Sequence, residues 1–491
     1  MAKKDEKRFI TPKSEDASQW YTDVILQAEL ADYSPVRGCQ VYRPYGFAIW
    51  EKIKAHLNGR IIATGHENCY YPLFIPKSLL DKEAEHVEGF APEVAWVTHG
   101  GGKELDEPLA VRPTSEVVIG VMWAKWLQSY RDLPVLHNQW ANVVRWEKAT
   151  RPFLRTLEFL WQEGHTAHRT EAEAREETAK MLEQYRQHAC DDLALHVIDG
   201  IKSESEKFAG AVETYGIEAM MPDGKALQSG TSHFLGQNFA KAYDIKYLEE
   251  DNTEQYVWTT SWGVSHRIMG GMLMAHGDDK GLILPPKVAP VHVVIVPIAR
   301  DDDRPLVLEK CQGLAQRLRG ASYNGEALNV KVDDRAEFRP GYKFAHWELR
   351  GVPLRIEVGP RDIQGSTCIV VDRLSGAKQE LQVDYATFEL DAESVSAKLE
   401  ELQSALYARS RDDVMGRIHE VENYEEFKQV IAEGRGFALA AWDGTAETEQ
   451  RVKEETSATT RVMAAEPPGH NVKCLFSGGP ARYRAYFAAS Y

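Results

Sequence analysis

Charged and aromatic residues alternate in the stretch RWEKATRPFLRTLEFLWQEGH, from Arg145 to His165. A surface strand does not need so many aromatic side chains, and a buried strand does not tolerate so many charges unless they are paired or hold a ligand. The planar guanidinium of arginine suits a phosphate or a carboxylate, and an aromatic ring suits a purine. The stretch therefore has the chemistry of a nucleotide site, with a salt-bridged surface hairpin as the alternative.

The spacing predicts a hairpin that gathers these groups around one ligand. Arg145 and Glu147 alternate, so we expect them on one face of a strand, and Arg155, Leu157 and Phe159 on one face of the next strand. A short turn, KATRP, would join the two strands.

The segment RPTSE, residues 112–116, is a second candidate. Its ordinary explanation is a helix start, with Thr114 as the N-cap and Glu116 favourable in the first turn. The functional alternative is a hydroxyl–carboxylate pair that binds an ammonium group. A third candidate is the segment of residues 261–286, in which Arg267 stands at the start of a predicted helix. The methionines of that helix could simply belong to the hydrophobic core.

Several elements must position these groups. Helical periodicity follows RPTSE through Val118, Met122 and Trp126. The segments NQWANVVRWE and TLEFLWQEGH are predicted to be half-buried antiparallel strands. A further helix after residue 168 is predicted from apolar residues recurring every four positions, namely Met181, Tyr185, Ala189 and Leu193.

The pattern changes after LPPKVAP, residues 284–290, which is typical of a linker. A buried strand, VHVVIVPI, begins an alternation of strands and helices that predicts a small α/β domain with a largely parallel sheet up to about residue 406. Residues 407–491 form a last α/β segment.

Composition limits the class of protein. The 491 residues suggest about three domains. Lys and Arg total 58 against 74 Asp and Glu, a net charge of −16, which argues against a non-specific nucleic-acid coat but allows local basic patches. Six scattered cysteines indicate a reducing compartment. Without an apolar stretch after the N-terminal charges or a run of about 18 apolar residues, we expect no signal peptide, no membrane span and a cytoplasmic location.

Taken in order, the motifs resemble those of prolyl-tRNA synthetases of the archaeal and eukaryotic type, which are class II aminoacyl-tRNA synthetases. VRGCQVYRPYGFAIWE, residues 36–51, is similar to class II motif 1. RPTSE is similar to the proline-binding loop of the family, and RWE…RTLEFLWQEGHTAH to motif 2. GTSHFLGQNFA (residues 230–240) through HGDDKGLILPP (residues 276–286) covers the substrate pocket and motif 3. The resemblance extends to the C-terminal tyrosine.

The resemblance implies an α+β catalytic domain over residues 1–288, whose antiparallel sheet is flanked by helices. An α/β anticodon-binding domain would follow over residues 289–406, and a small α/β C-terminal domain over residues 407–491. It also implies a homodimer with motif 1 at the interface, and tRNA(Pro), L-proline and ATP with Mg²⁺ as partners. In this type the C-terminal tyrosine, here Tyr491, can approach the active site.

Site roles follow from the resemblance. The residues that bind the substrate proline would be Thr114, Glu116, Arg145, Trp161, Glu163, His165, His233, Ser261 and Gly263. The residues that bind ATP would be Arg145, Glu147, Arg155, Thr156, Phe159, Gln228, Thr231 and Arg267. Of these, Arg145, Glu147 and Arg267 would be catalytic. The anticodon contacts would be Glu348, Arg355, Arg361 and Asp362, although each could equally be a surface ion pair. No protein metal ligand is assigned.

The implied reaction is that of a proline–tRNA ligase. The carboxylate of proline attacks the α-phosphorus of ATP, and a ribose hydroxyl of the last tRNA nucleotide then takes the prolyl group. Positioning and electrostatics suffice for these steps, so we assign no general base. The alternatives are another class II synthetase, for threonine or serine, and a non-catalytic tRNA-binding relative.

Two departures from the family stand out. Many relatives hold a zinc ion with four cysteines in the C-terminal domain, whereas this chain has Asp443, Thr448, Cys474 and Ser477 there, so we expect no structural zinc. Residues 168–228, predicted to be mostly helix, leave no room for the editing domain that bacterial-type relatives insert. We therefore expect slow, uncorrected activation of alanine, because a missing methylene costs only roughly 1–3 kcal/mol of discrimination.

Overall fold

The computed structural model describes residues 10–86, 94–300 and 302–491. Residues 1–9, on which the expectation of no signal peptide rests, lie outside the described residues. The helices are α1 Ala17–Gln27, α2 Pro44–Ala63, α3 Lys77–His86, α4 Glu116–Trp126, α5 Glu171–Gln187, α6 Asn238–Tyr243, α7 Arg267–His276, α8 Arg304–Arg319, α9 Pro340–Leu349, α10 Pro360–Gly365, α11 Ala392–Gly416, α12 Tyr424–Ala432 and α13 Ala446–Thr456.

Strands in the first part of the chain form a large antiparallel sheet and three small ones. The strands are β1 Ala31–Tyr33, β2 Gln40–Tyr42, β3 Glu67–Asn68, β4 Phe74–Pro76, β5 Trp96–Gly100, β6 Lys103–Val111, β7 Val135–Val144, β8 Glu158–His168, β9 Val197–Ile201, β10 Glu213–Met220, β11 Ala226–Gly236, β12 Lys246–Leu248, β13 Glu254–Tyr256 and β14 Trp258–Ser265. The large sheet has the order β3-β7-β8-β14-β11-β10-β9, and only the β3–β7 pair in it is parallel. This confirms the predicted antiparallel catalytic fold.

The centre of this sheet is buried on both faces. Gly164 in β8 pairs with Trp262 in β14, and a Cβ atom on Gly164 would lie 2.1 Å from the Trp262 ring. Only glycine allows the indole to cross the strand so closely. Its neighbours Glu163 and His165 point to the other face, because side chains alternate along a strand.

The predicted hairpin differs from the observed one. β7 ends at Val144, so Arg145 and Glu147 lie beyond the strand rather than on it, and residues 145–157 form a long connection instead of a short KATRP turn. Phe153, with φ 57°, is fully buried against Tyr42 and draws this connection into the core.

Helix α4 forms as predicted but buries a different face. Val117, Gly120 and Trp123 are buried, whereas Trp126 on the predicted face is 48% exposed. A Cβ on Gly120 would lie 2.5 Å from the Tyr243 ring, so the glycine admits that ring and sets the rotation of the helix.

Residues 168–228 are less helical than predicted. α5 begins with a capping box, in which Thr170 and Glu173 bond to each other's backbone, and it confirms the predicted helix. β9 and β10 then add two strands to the edge of the large sheet. The prediction of mostly helix is wrong, because beyond the helical residues 171–192 the segment forms β9, β10 and the start of β11.

The second part of the chain contains β15 Val293–Pro297, β16 Ser322–Tyr323, β17 Glu326–Ala327, β18 Val330–Val332, β19 Leu354–Val358, β20 Thr367–Asp372, β21 Lys378–Asp384 and β22 Glu389–Leu390. Its main sheet has the order β18-β15-β19-β20-β21-β22, in which β18, β15 and β19 are parallel and the other pairings are antiparallel. The sheet is thus half parallel rather than largely parallel. The predicted linker at residues 284–290 is packed, since Leu284, Val288 and Ala289 belong to the core of the first part.

The last part contains β23 Ile418–Glu420, β24 Phe437–Trp442, β25 Thr459–Met463 and β26 Tyr483–Ala488, in the sheet order β23-β24-β26-β25. Helix α11 runs without interruption through residues 406 and 407 and joins this part to the preceding one. Among the described helices, none has the length and apolar character needed to cross a membrane.

Candidate active site

A cavity of about 320 Å³ opens between β8, β11 and β14. Most of the predicted substrate residues line it, namely Thr114, Glu116, Arg145, Phe159, Trp161, Glu163, His165, Gln228, Thr231, His233, Ser261, Gly263 and Arg267. Glu147, Arg155 and Thr156 do not.

Glu163 is the most enclosed acidic group of the cavity, with an exposed fraction of 2%. Its carboxylate accepts hydrogen bonds from the Ser115 amide (3.1 Å), the Ser115 hydroxyl (2.5 Å) and Gln139 Nε2 (2.7 Å), and lies 3.2 Å from His165 Nε2. Burial raises the pKa of Glu163, but the hydrogen bonds and charge of His165 and the bonds from Ser115 and Gln139 outweigh it, so the pKa falls below its ordinary value.

His165 and His233 form two different walls. Burial lowers the pKa of His165, but the hydrogen bond to Glu163 and the charges of Glu116 and Glu163 raise it above its ordinary value. Burial, followed by the charges of His165, Lys202 and Arg145, lowers the pKa of His233 to about 3. His233 is therefore a neutral wall.

Thr114 and Glu116 line the cavity beside Glu163, and the three residues form its acidic wall. Ser115, not Thr114, occupies the N-cap position of α4, and the Thr114 hydroxyl instead donates to Glu116 and contacts Glu163 at 3.4 Å. The predicted Thr114 cap is therefore wrong, whereas the predicted helix start with Glu116 in its first turn is confirmed. Glu116 is 8% exposed.

Glu116, Glu163 and His165 also offer ligand atoms within 4.8 Å of one another, a grouping able to hold a cation. Sequence reasoning assigned no metal ligands and missed it. The carboxylate of Glu163 is already occupied by protein donors, which leaves Glu116 as the acceptor with capacity for a ligand. A monovalent ammonium needs only such an acceptor, whereas a divalent metal needs several free ones.

Two polar atoms at the cavity have no hydrogen-bond partner among the described residues. They are the Ser261 hydroxyl, on a residue with 3% exposure, and the Trp161 indole nitrogen. Buried polar atoms are nearly always paired in folded proteins, so unpaired ones beside a cavity mark the position of a ligand.

The wall opposite β8 was not predicted. Glu206 and Phe208, on the loop between β9 and β10, line the cavity. The Phe208 ring lies 4.7 Å from the His233 ring, and Thr214 Oγ1 lies 2.9 Å from His233 Nδ1. The loop has no motif that sequence reasoning could have used.

Arg145 and Arg267 line the cavity, and Arg155 lies close enough at its rim to act on the charge of Arg267. The guanidinium of Arg145 faces the cavity and lies 5.5 Å from the centre of the Phe159 ring and 5.4 Å from that of Trp161. Loss of water and the positive charges of Arg155 and Arg145 lower the pKa of Arg267 to about 10. Cations that repel one another in this way are arranged for a polyanion.

Glu147, Arg155 and Thr156 belong to the rim or to the support of the site. Arg155 Nη1 lies 3.9 Å from Glu147, and its Nη2 donates to the backbone oxygen of Tyr491 at 3.4 Å. Thr156 is 4% exposed, and its hydroxyl donates to the Glu158 carbonyl at 2.6 Å. The guanidinium of Arg151 lies over the Tyr491 ring, so the C-terminal residue does reach this rim.

The four anticodon candidates fall into two groups. Arg355 Nη1 donates to Glu348 at 3.0 Å, near the beginning of β19. Beyond the other end of that strand, Asp362 accepts from the Gly359 amide at 2.6 Å as the cap of α10, and Arg361 is exposed. Sequence reasoning did not predict this separation.

The C-terminal domain brings its four predicted zinc-position residues together in the Asp443 cluster, which comprises Asp443, Thr445, Thr448, Cys474 and Ser477. Asp443 accepts from Ser477 Oγ (2.6 Å), Thr448 Oγ1 (2.7 Å), Thr445 Oγ1 (2.9 Å) and the Thr445 amide (3.1 Å). The Ser477 amide lies 3.5 Å from Cys474 Sγ. Partial burial raises the pKa of Asp443, but the bonds from Ser477, Thr448 and Thr445 lower it to about 2.

Three parts of the chain match known protein families. Residues 96–276 match the family described as tRNA synthetase class II core domain (G, H, P, S and T), residues 292–393 the anticodon binding domain, and residues 424–491 the family described as Prolyl-tRNA synthetase, C-terminal.

Curated relatives match over nearly the whole length. A proline–tRNA ligase of Symbiobacterium thermophilum is 52% identical over 99% of this chain and 100% of its own length. One of Prosthecochloris aestuarii is 53% identical over 98% and 99%, and one of Natranaerobius thermophilus is 50% identical over the full length of both chains. The chain belongs to the prolyl-tRNA synthetase family of class II aminoacyl-tRNA synthetases.

Proposed function

We propose that this protein is an active proline–tRNA ligase that forms prolyl-adenylate from L-proline and ATP and transfers the prolyl group to the 3′ end of tRNA(Pro). The observation that carries the proposal is the pocket itself, in which a buried acidic wall around Glu116 adjoins Arg145 and Arg267, with Arg155 close to them at the rim. The amino group of an amino acid needs the acidic wall, and the phosphates of a nucleoside triphosphate need the adjoining arginines.

Proline enters with its ammonium group toward Glu116 and Thr114, whose hydroxyl–carboxylate pair is held by Glu163 and His165. Trp161 and His233 enclose the apolar ring from two sides. The unpaired Ser261 hydroxyl and the backbone near Gly263 complete the proline site.

ATP occupies the outer end. Phe159 stacks on adenine, Arg145 contacts the α-phosphate and Arg267 the terminal phosphate, with Gln228 and Thr231 beneath. Arg155 and Glu147 act from the rim. The assignment of Thr156 rests on its place in the loop, because its side chain supports the backbone at Glu158.

Mg²⁺ accompanies the phosphates. It prefers oxygen ligands, usually one or two from protein together with phosphate and water. Among the residues assigned to ATP, the Glu147 carboxylate at the rim and the Gln228 amide oxygen at the cavity are oxygen donors of the kind that would hold it. The ion supplies charge neutralisation when bound.

Electrostatics and position account for the chemistry. Arg145 lies between the proline site and the phosphates, where it can orient the carboxylate for in-line attack and stabilise the charge that develops on the α-phosphate. No side chain is required as general base.

The reading as a threonine enzyme is less favoured. Such an enzyme needs a metal ion for its substrate hydroxyl, and the donors already bound to Glu163 leave the acidic wall suited to an ammonium.

The Asp443 cluster, saturated by its own hydroxyls, supports a C-terminal domain that folds without zinc.

The proposed domains are residues 1–288, 289–406 and 407–491, with α11 shared by the last two. Glu348, Arg355, Arg361 and Asp362 would contact the anticodon, the first two by exchanging their mutual ion pair for bonds to bases. The domain architecture of this chain is that of the archaeal and eukaryotic type of prolyl-tRNA synthetase, although the relatives named above are bacterial. The matched C-terminal family and the absence of an inserted domain between β8 and β11 support this.

A homodimer and a cytoplasmic location complete the proposal. The segment with motif 1 exposes the apolar side chains of Tyr33, Val36, Val41 and Phe47, by 40% to 64%, and a second subunit would cover them. The six unpaired cysteines and a tRNA substrate suit the cytoplasm.

ATP–pyrophosphate exchange with each of the twenty amino acids tests the function. We expect the strongest exchange with proline and slow exchange with alanine at high concentration. Exchange led by threonine or serine would overturn the substrate, and no exchange with any amino acid would favour a tRNA-binding role. Absence of alanine-dependent exchange would contradict the expected modest selectivity.

A further inference from the structure

The loop between β9 and β10, residues 202–212, is called the pocket loop because it carries Glu206 and Phe208 into the cavity. Its inner end is tied to the sheet, since the Phe208 amide donates to Thr214 Oγ1 at 3.0 Å and the Phe208 ring lies against His233. The position of this loop therefore sets the width of the proline site.

The other end of the pocket loop is held by the C-terminal domain. Glu449, on α13, accepts hydrogen bonds from Ser203 Oγ at 2.8 Å and from Ser205 Oγ. Glu449 is 6% exposed and Ser203 is 2% exposed, so water is excluded from the bond between them, whereas Ser205 is an exposed residue whose hydroxyl reaches the buried carboxylate from the surface. Within the described part of the chain, no lysine, arginine or histidine forms an ion pair with Glu449. A buried carboxylate is costly unless it is hydrogen-bonded, so Glu449 depends on the two serines being in place.

A second contact from the same domain fixes the start of the loop. Lys202 Nζ donates to Glu218 Oε1 at 2.5 Å, and Arg461 of β25 donates to both oxygens of Glu218 at 3.0 Å. The side chains of Lys202 and Glu218 are fully buried, and that of Arg461 is 6% exposed. With its root fixed in this way, the remaining freedom of the loop lies at the residues that Glu449 binds.

We propose that Glu449 of the C-terminal domain is a positioning residue for amino-acid binding, which holds the pocket loop against the proline site through Ser203 and Ser205. This inference rests on the proposed function, because it treats the wall formed by Phe208 and His233 as part of the proline site. In this proposal the C-terminal domain raises the affinity for proline indirectly, through the pocket loop, and Glu449 itself does not touch the substrate.

The contact should affect proline and not ATP. The arginines proposed for ATP stand on the β7–β8 connection and at the start of α7, whereas the pocket loop forms the opposite wall. Release of the loop would widen the site for the proline ring and leave the phosphate contacts in place. A purely structural role of Glu449 would instead lower the amount of active enzyme and leave both KM values unchanged.

Steady-state exchange kinetics of the full-length enzyme test this. For Glu449→Ala we expect the KM for proline to rise ~10-fold, as for the loss of two hydrogen bonds to a charged group, with an unchanged KM for ATP and little change in kcat. Glu449→Gln should restore most of the affinity, because an amide can accept from one serine and donate to the other. Glu447→Ala, an exposed residue on the same helix, is the matched control and should match wild type.

The double variant Ser203→Ala/Ser205→Ala approaches the contact from the loop and serves if Glu449→Ala does not fold. It should raise the KM for proline to the same extent, and adding Glu449→Ala should raise it no further. An unchanged KM for proline in these variants, or equal changes in the KM for ATP, would overturn the inference alone. A wild-type enzyme without proline-dependent exchange would overturn the proposed function and this inference with it.

Discussion

The acidic wall of the active site and the Asp443 cluster are made of the same groups, carboxylates with threonine and serine hydroxyls. In the cluster, Asp443 accepts four protein hydrogen bonds and its partners bond to one another. In the active site, Glu163 is saturated in the same way, but the neighbouring Glu116 accepts from Thr114 and still faces the cavity.

The difference between the two regions is whether polar capacity is left over. The active site retains an unpaired Ser261 hydroxyl and an unpaired Trp161 nitrogen, and no atom of the Asp443 cluster is unpaired in the same sense within the described residues. A saturated cluster contributes to the stability of its domain, whereas an open one is completed by a ligand.

The largest expected effect is at Arg145, the arginine proposed to contact both proline and ATP. Arg145→Ala should lower kcat for proline-dependent exchange by about 100- to 1,000-fold, because a charge that stabilises the developing transition state is lost. The measurement is ATP–pyrophosphate exchange at saturating substrates. Lys148→Ala removes an exposed cation of the same loop and should have no effect. A loss of activity as large in the Lys148 variant would show that the loop, not the arginine, is responsible.

A smaller effect is expected at the saturated carboxylate of the active site. Glu163→Gln presents an amide to donors from Ser115 and Gln139 and removes the charge that holds His165. We expect kcat/KM for proline to fall by about 10- to 100-fold with an unchanged KM for ATP. Glu104→Gln, at an exposed position of β6, is the control. Wild-type kinetics in Glu163→Gln would contradict the assigned role.

In the Asp443 cluster the same kind of change should affect stability and not catalysis. Asp443→Ala should lower the free energy of unfolding by about 1–2 kcal/mol, measured by urea denaturation, with unchanged kinetics at permissive temperature. Asp251→Ala is the control, since Asp251 is exposed and, among the described residues, its side chain bonds only to Thr253. Stoichiometric zinc in the purified protein, lost in Cys474→Ser, would contradict the view that hydroxyls replace a metal here.

The smallest effect concerns acid stability. The pKa of Asp443 is about 2 in the folded protein, against an ordinary value of 3.8, so its ionised form stabilises the fold above pH 4. This contribution is lost as the pH falls from about 4 to about 2, because the carboxylate then becomes protonated. Asp443→Asn should therefore show a shallower loss of unfolding free energy than wild type across that range. Parallel pH curves would show that Asp443 does not contribute.

The antiparallel catalytic fold and most of the cavity residues were expected from the family resemblance, because the motifs that carry it are contiguous stretches of the sequence. The β8 stretch alternates charged and aromatic residues, and RPTSE and the start of α7 carry functional groups next to helix starts. Positions fixed by long-range packing were not predictable. The rotation of α4 depends on the Tyr243 ring beside Gly120, and the inward turn of residues 145–157 depends on the burial of Phe153.

The pocket loop was missed for the same reason. Phe208 and Glu206 have no local spacing that indicates a site, and their placement depends on Glu449, more than 200 positions along the chain. The half-parallel second sheet was also beyond a pattern argument, since β20 is as apolar as the parallel strands beside it.

The central claim, that Glu116 keeps capacity for an ammonium group, is tested most directly by calorimetric titration of wild type and Glu116→Gln. The two ligands are L-proline and tetrahydrofuran-2-carboxylate, which has the same ring but an ether oxygen in place of the amine. We predict that wild type strongly prefers proline and that Glu116→Gln loses most of this preference while binding the ether analogue as before. Equal affinity of both proteins for proline would contradict the account.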